Sequence, residues 1–187
     1  MTLLVLGLLI WTAAHLFKAA APDRRAALTA SLGEGASKGV FAAVIGLGLV
    51  LMIWGYRAAP FIPVWTPPLW GTHLNNLLML FSVALFGAGN SKGRARSLLR
   101  HPQLTAVIVW AVAHLLVNGD VASLVLFGGI ALWAVANMAL INARDGAWVR
   151  PEPGPLKGDL RLAIIALVLY GVIAAIHTWL GYPVFPG

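Results

Sequence analysis

Five histidines stand in a chain whose residues are 60% hydrophobic, and two of them lie in nearly identical six-residue motifs. The motifs are Trp11-Thr-Ala-Ala-His15-Leu16 and Trp110-Ala-Val-Ala-His114-Leu115. An imidazole inside a membrane is costly, so it usually ligates a metal, moves a proton or hydrogen-bonds a neighbouring helix. The two motifs therefore raise the question of what two helix-borne imidazoles hold in common.

The composition places this chain among integral membrane proteins. Only 10% of its 187 residues are charged, far fewer than in a soluble domain. Because each span needs about 20 apolar residues, residues 1–187 have room for six helices and are predicted to form a single membrane domain. The chain has no cysteine, which excludes disulfides, thiolate metal sites, thiol nucleophiles and a haem thiolate.

The predicted fold class is all-α, a polytopic membrane protein with six transmembrane helices. The apolar segments that define these helices cover residues 3–20, 39–56, 72–89, 103–118, 121–142 and 160–180. The first segment begins directly after Met1 without a basic region before it, so we expect a span and not a cleaved signal peptide.

The basic residues flank the apolar segments and predict the orientation of the chain. The net charge is +7, and the connections after segments one, three and five carry four basic residues each, whereas the other two connections carry only Arg57. Cytoplasmic loops are enriched in lysine and arginine. We therefore expect a multi-pass inner-membrane protein with both termini in the periplasm, and we expect no binding of nucleic acid.

This orientation assigns a depth to the two motif histidines. His15 and His114 are each about the thirteenth residue of oppositely directed segments, so they lie roughly 5 to 6 Å on opposite sides of the midplane. Two histidines bonded to one iron place their Cα atoms roughly 12 to 13 Å apart, which is compatible with this separation. His101 lies thirteen residues from His114, about 20 Å along one helix, so these two cannot share a metal.

Other interpretations of the polar residues remain open. His15 and His114 could simply hydrogen-bond neighbouring helices, and His73 and His177 share the outer depth of His114, which makes these three the rival metal site. Asp120 could be a helix N-cap or could serve a polar role near His114.

The aromatic and glycine residues also carry expectations. Most tryptophans are predicted to lie in the interfacial belts, except Trp11 and Trp110, which stand one turn from the candidate ligands and could pack on a cofactor. The proline- and tryptophan-rich connection 60–70 is expected to be a lid at the outer interface. The pairs Gly46/Gly48 and Gly128/Gly129 are expected at close helix contacts.

Two stretches carry a resemblance to a known family. Arg100-His101-Pro102-Gln103-Leu104 and the following Trp110-Ala-Val-Ala-His114-Leu-Leu-Val-Asn118-Gly119-Asp120 resemble the signature of the NnrU family, membrane proteins associated with bacterial denitrification. Ala14-His15-Leu16, Trp54-Gly55-Tyr56 and Phe127-Gly128-Gly129 fit the same pattern. More distantly, the chain is similar to zeta-carotene isomerase of plants and cyanobacteria, which uses haem b to isomerise a polyene double bond.

The resemblance implies a cofactor and its ligands. Carried over residue by residue, the proposed haem ligands of the isomerase correspond to His15 and His114. The isomerase has a cysteine three residues before its second histidine, where this chain has Ala111. A Cys-x-x-Cys-His attachment motif is absent from the sequence, so the expected haem b would be bound non-covalently. Arg100 and His101, at a helix start, would suit a haem propionate, a lipid phosphate or an acidic substrate.

The resemblance implies a role accessory to nitrite and nitric oxide metabolism, with other membrane proteins of denitrification as partners. One alternative is a haem-dependent cis-trans isomerase of a polyene or isoprenoid lipid. The other is a haem-free membrane scaffold or assembly factor.

The charge distribution generates a prediction about orientation. A reporter that is active only in the periplasm, fused after residue 187, should be active, because the basic connections after segments one, three and five are expected in the cytoplasm, which puts the C-terminus in the periplasm. The same reporter inserted in the connection between segments three and four should be inactive. A cytoplasmic reading of the C-terminal fusion would contradict the assigned depths of His15 and His114.

Overall fold

The computed structural model describes residues 1–185, and these residues form helices without any β-strand beyond one isolated bridge. The helices are α1 (Thr2–Ala20), α2 (Pro22–Leu32), α3 (Glu34–Arg57), α4 (Gly71–Ala88), α5 (Pro102–Val117), α6 (Val121–Asp145) and α7 (Leu156–Trp179). A short 3₁₀ turn, Ala95–Ser97, lies between α4 and α5. The all-α prediction is confirmed.

Five helices, α1, α3, α4, α6 and α7, are long and apolar enough to cross a membrane. The chain is therefore a multi-pass membrane protein. The segment predicted at 103–118 forms α5, which has 16 residues and extends about 24 Å, less than the roughly 30 Å of the hydrocarbon core. The sixth span and the periplasmic termini thus stay predictions.

Helix α2 lies in a connection for which the hydrophobic pattern predicted no helix. Pro22 begins it and Asp23 stands in its first turn, both favoured at helix starts. Arg25 fastens it to α3, since its guanidinium donates hydrogen bonds to Thr29 and Ser37 and lies 3.8 Å over the ring of Phe41. This helix is specified by polar contacts and not by an apolar face.

The chain divides into two compact units. The first comprises Met1–Val64 and Asp120–Gly146, and the second comprises Trp65–Gly119 and the chain from Ala147 onward. The short turn at residues 118–120 predicted that the fourth and fifth apolar segments pack on each other. This packing stays a prediction. Within the second unit α5 packs mainly on α4, and within the first unit α6 packs on α1.

Glycines bring α1 and α3 into close contact in the first unit. A Cβ added at Gly7 would lie 2.6 Å from the Met52 nitrogen, and one at Gly55 would lie 2.1 Å from the Leu4 nitrogen. Gly48 faces the backbone of Trp11, and a Cβ added at Gly48 would lie 3.0 Å from the Trp11 nitrogen. The close-contact prediction is thus confirmed for Gly48, whereas nothing lies within 4 Å of a Cβ at Gly46.

Side-chain hydrogen bonds connect α4 to α5 in the second unit. Asn75 donates to the carbonyl of Ala113 at 3.0 Å, and Ser82 donates to the carbonyl of Ala106 at 2.8 Å. Both pairs are seven residues apart on their helices and run in opposite directions, as in an antiparallel pair with a heptad spacing. Gly71, which begins α4, lies against the carbonyl of Leu116. These contacts position the end of α5 that carries His114.

The glycine contacts yield a matched pair of stability predictions. Gly55→Ala should lower the free energy of unfolding by about 1–3 kcal/mol, because the new methyl group meets the α1 backbone, which can yield only if the helices separate. Gly46→Ala, on the same helix but in open space, should be neutral or stabilise by up to about 1 kcal/mol. Unfolding in mixed micelles of increasing SDS fraction measures both, and equal values for the two variants would contradict the assigned contact.

Candidate functional site

His15 lies in the last part of α1, and one nitrogen of its imidazole is hydrogen-bonded to the backbone. Its Nδ1 donates a hydrogen bond of 2.9 Å to the carbonyl oxygen of Trp11, one turn earlier. A carbonyl can only accept, so the hydrogen of the neutral ring lies on Nδ1 and the lone pair lies on Nε2. An Nδ1–H bonded to a backbone carbonyl is the arrangement that orients a histidine to ligate a metal through Nε2.

Two tryptophans surround the His15 ring. The centroid of the Trp11 ring lies 4.2 Å from that of His15 at an interplanar angle of 37°. Trp133, from α6, meets His15 nearly edge to face, at 4.9 Å and 67°, and meets Trp11 at 5.7 Å and 76°. The packing of Trp11 against His15 agrees with its predicted place beside a candidate ligand, and Trp133 is a further member of this aromatic cluster.

Both indole N–H groups of the cluster lack hydrogen-bond partners. The Nε1 atoms of Trp11 and Trp133 are buried, and neither has an acceptor. Leaving a buried donor unsatisfied costs about 1–3 kcal/mol, and buried tryptophans normally avoid that cost. Such an exception calls for a functional or structural explanation, and here two exceptions flank one histidine.

The start of α6 positions Trp133. Asp120 caps this helix, because its carboxylate accepts hydrogen bonds from the backbone N–H of Ser123 at 3.1 Å and from the Ser123 hydroxyl at 2.5 Å. The hydroxyls of Tyr56 and Ser123 are 2.9 Å apart, which connects the cap to α3. The N-cap prediction for Asp120 is confirmed.

A π-helical stretch, Leu124–Gly128, follows this first turn. A π turn contains more residues than an α turn, so it rotates every later side chain about the helix axis. Beyond it, Gly129 lies against Leu8 of α1, at 2.2 Å from a Cβ placed there. Gly129 thus confirms the expected close contact, whereas Gly128 meets nothing within 4 Å of a Cβ.

Trp133 departs from the expectation that most tryptophans lie in the interfacial belts. Its side chain is only 7% exposed and contacts His15, whereas Trp54 and Trp179 are 66% and 82% exposed. A signal was present in the sequence, because Trp133 stands at the middle of an apolar segment and belt tryptophans stand near the ends. The contact of Trp133 with His15, however, depends on the rotation that the π-helical stretch imposes on α6, which the sequence pattern does not indicate.

In the second unit, His114 repeats the local geometry of His15. Its Nδ1 donates to the carbonyl of Trp110 at 2.8 Å, and the two rings are 4.8 Å apart at 47°. Asn118 donates to the carbonyl of His114 at 2.8 Å and so closes the end of α5. Ala111, at the position of the isomerase cysteine, is fully buried.

The rival histidines occupy different surroundings. His177, in the last turn of α7, also bonds an earlier carbonyl through Nδ1, that of Ile173 at 2.8 Å. His73 is exposed near the start of α4. Within residues 1–185, no three histidine, cysteine or acidic side chains are grouped as a metal site. The three-histidine layer of His73, His114 and His177 stays a prediction.

Arg100 and His101 lie at the beginning of α5, the end opposite to His114. His101 is the N-cap residue, Pro102 opens the helix, and Thr105 donates to the His101 carbonyl through both its backbone N–H and its hydroxyl. His101 and His114 are thus at the two ends of one helix, as predicted, and are too far apart to share one metal. Anion binding by Arg100 and His101 stays a prediction.

Comparison with known proteins identifies the family. The model of the family described as NnrU protein matches residues 3–184. The chain belongs to the NnrU family. No curated protein and no solved structure matches it. The NnrU match includes both Trp-x-x-Ala-His-Leu motifs, the Arg-His-Pro stretch and Trp133.

Proposed function

We propose that this NnrU-family protein is a b-type haem protein of the inner membrane that serves nitrite and nitric oxide metabolism. His15 and His114 would be the axial ligands, and the haem would be bound non-covalently. The observation that carries the proposal is the duplicated geometry in which each histidine donates through Nδ1 to a tryptophan carbonyl one turn earlier.

The donor set fits a haem iron. Two neutral imidazoles, each with its lone pair on Nε2, are the ligands of low-spin b-type haem proteins. Trp11 and Trp110 offer flat apolar surfaces beside the two rings, suitable for packing against a macrocycle. When bound, the haem would supply a one-electron redox centre whose potential depends on its axial ligands and on the polarity around it.

Each residue of the two motifs has a separate task in this proposal. The Trp11 and Trp110 carbonyls would fix the tautomer of the ligands, and the indole rings would exclude water and lipid headgroups from the iron. The second unit contributes rigidity, since Asn75 and Asn118 both bond the carbonyls of the last turns of α5.

The isomerase alternative receives less support than electron transfer. The isomerase cysteine, proposed as an alternative iron ligand, is replaced here by Ala111, which is buried and has no ligand atom. Exchange between histidine and thiolate is therefore not available to this chain. The haem-free scaffold is separated from both haem proposals by an absorption spectrum.

The ligand proposal predicts distinct behaviour for two pairs of histidines. The protein purified from haem-replete cells should show a Soret band and the α and β bands of low-spin haem. His15→Ala or His114→Ala should abolish the low-spin spectrum, because each removes one axial nitrogen.

The matched control is the other pair. His73→Ala and His177→Ala should leave the spectrum largely intact, although both also remove an imidazole from the second unit. A spectrum that survives in His15→Ala and disappears in His177→Ala would assign the iron to the rival ligands. A wild-type protein without a Soret band, even after reconstitution with hemin, would overturn the proposed function.

The beginning of α5 generates a separate prediction. Arg100→Gln should weaken haem retention during dialysis and leave the axial spectrum unchanged, because a guanidinium at this end of the helix can pair with an anionic group but is about 20 Å from His114. Arg96→Gln, an exposed arginine of the preceding turn, is the control. A loss of low-spin character in Arg100→Gln would contradict this role.

A further inference from the structure

Trp133 contacts the His15 ring from a different helix, and the resemblance to known proteins assigns it no role. We propose that Trp133 is a positioning residue whose indole holds the His15 imidazole in the orientation that presents Nε2 to a ligand. As a statement about iron ligation it rests on the proposed function. As a statement about the orientation of His15 it can be tested without haem.

The hydrogen bond of His15 does not by itself hold the plane of the imidazole. The bond from Nδ1 to the Trp11 carbonyl selects which edge of the ring faces the helix, but the ring can still tilt about that contact. A tilt weakens the bond and with it the preference for the Nδ1–H tautomer. Trp11 lies on the same helix as His15 and moves with it. A contact from another helix is therefore needed to hold the plane of the His15 ring. Trp133 of α6 makes that contact, with ring centroids 4.9 Å apart and an interplanar angle of 67°.

Trp133 is held in place by the packing of α6 on α1. Gly129 and Trp133 are four residues apart on α6, so they share one face, and Leu8, Trp11 and His15 share a face of α1 by the same rule. Gly129 meets Leu8, and Trp133 meets Trp11 and His15. The contacts of Gly129 and Trp133 therefore follow one another along α1 and α6. They form one continuous helix–helix interface within the first unit.

The indole N–H groups of Trp11 and Trp133 do not explain how these rings are oriented, because both are buried without an acceptor. A tryptophan chosen only to fill space would be expected to turn its N–H towards an acceptor, yet Nε1 of Trp133 is buried without one. The ring instead makes a nearly perpendicular contact with the His15 ring, a favoured geometry for aromatic pairs. We therefore expect this aromatic contact, and not a hydrogen bond from the N–H group, to be the feature that acts on His15.

The test uses haem-free protein with ¹⁵N-labelled histidine in nanodiscs. The His15 signals, identified by their loss in His15→Gln, report which ring nitrogen carries the hydrogen. Wild type should show mainly the Nδ1–H tautomer. Trp133→Met, which fills space without an aromatic edge, should raise the Nε2–H population several-fold, whereas Trp133→Phe should restore a distribution close to wild type.

A matched control separates positioning from general destabilisation. Trp54→Met makes the same change at an exposed tryptophan of the first unit and should leave the His15 signals unchanged. If Trp133→Met does not fold, Trp133→Leu replaces it. A folded non-aromatic variant whose His15 tautomers match those of Trp54→Met would overturn the proposal, as would a Trp133→Phe variant that behaves like Trp133→Met.

Spectra of the haem-loaded protein distinguish this inference from the proposed function. The low-spin signals in electron paramagnetic resonance should shift or broaden in Trp133→Met and return in Trp133→Phe. Absence of haem in wild type would defeat the proposed function, and the tautomer measurement would still decide the orientation of His15. Haem with unaltered signals in Trp133→Met would defeat the positioning role and leave the proposed function standing.

Discussion

A polar group inside a lipid bilayer finds no water, so it must be satisfied by the chain itself or remain unsatisfied at a cost in free energy. Several polar side chains described in the helices solve this problem locally. His15, His114 and His177 each donate through Nδ1 to the carbonyl four residues earlier, and Thr105 and Thr178 do the same with their hydroxyls. This local solution has a chemical consequence, because it leaves the lone pair of a neutral histidine on Nε2, away from the backbone.

The two units achieve close helix packing by different means. In the first, Gly7, Gly48 and Gly55 let the backbones of α1 and α3 approach directly, which yields contact area where lipid offers no hydrophobic driving force. In the second, Asn75 and Ser82 join α4 to α5 through hydrogen bonds to backbone carbonyls. Both solutions hold a Trp-x-x-x-His turn on a rigid element, which is what a ligand site requires.

The aromatic cluster at His15 departs from the rule that buried polar groups are satisfied. Its two indole N–H groups have no acceptor, although the rest of the first unit satisfies even the buried carboxylate of Asp120. Departures from local consistency concentrate at functional or strained sites. The position of this one beside a candidate iron ligand agrees with the proposed role of the cluster.

What the sequence by itself determined are the features that depend on neighbours along the chain. The apolar segments, the Asp120 cap and the placement of His101 and His114 at opposite ends of one helix follow from periodicity and from partners within a few residues. The geometry common to His15 and His114 is of the same kind, since it joins each histidine to a carbonyl four residues earlier.

Only the tertiary structure decided the features that depend on distant partners. Helix α2 packs on α3 because Arg25 reaches Ser37 and Phe41, and Gly48 rather than Gly46 meets α1 because of the rotation of α3. Trp133 reaches His15 through the rotation that a π-helical stretch imposes on α6. A hydrophobic pattern records which residues avoid water, and in a membrane nearly every helix face avoids water, so the pattern alone does not tell which face meets a partner.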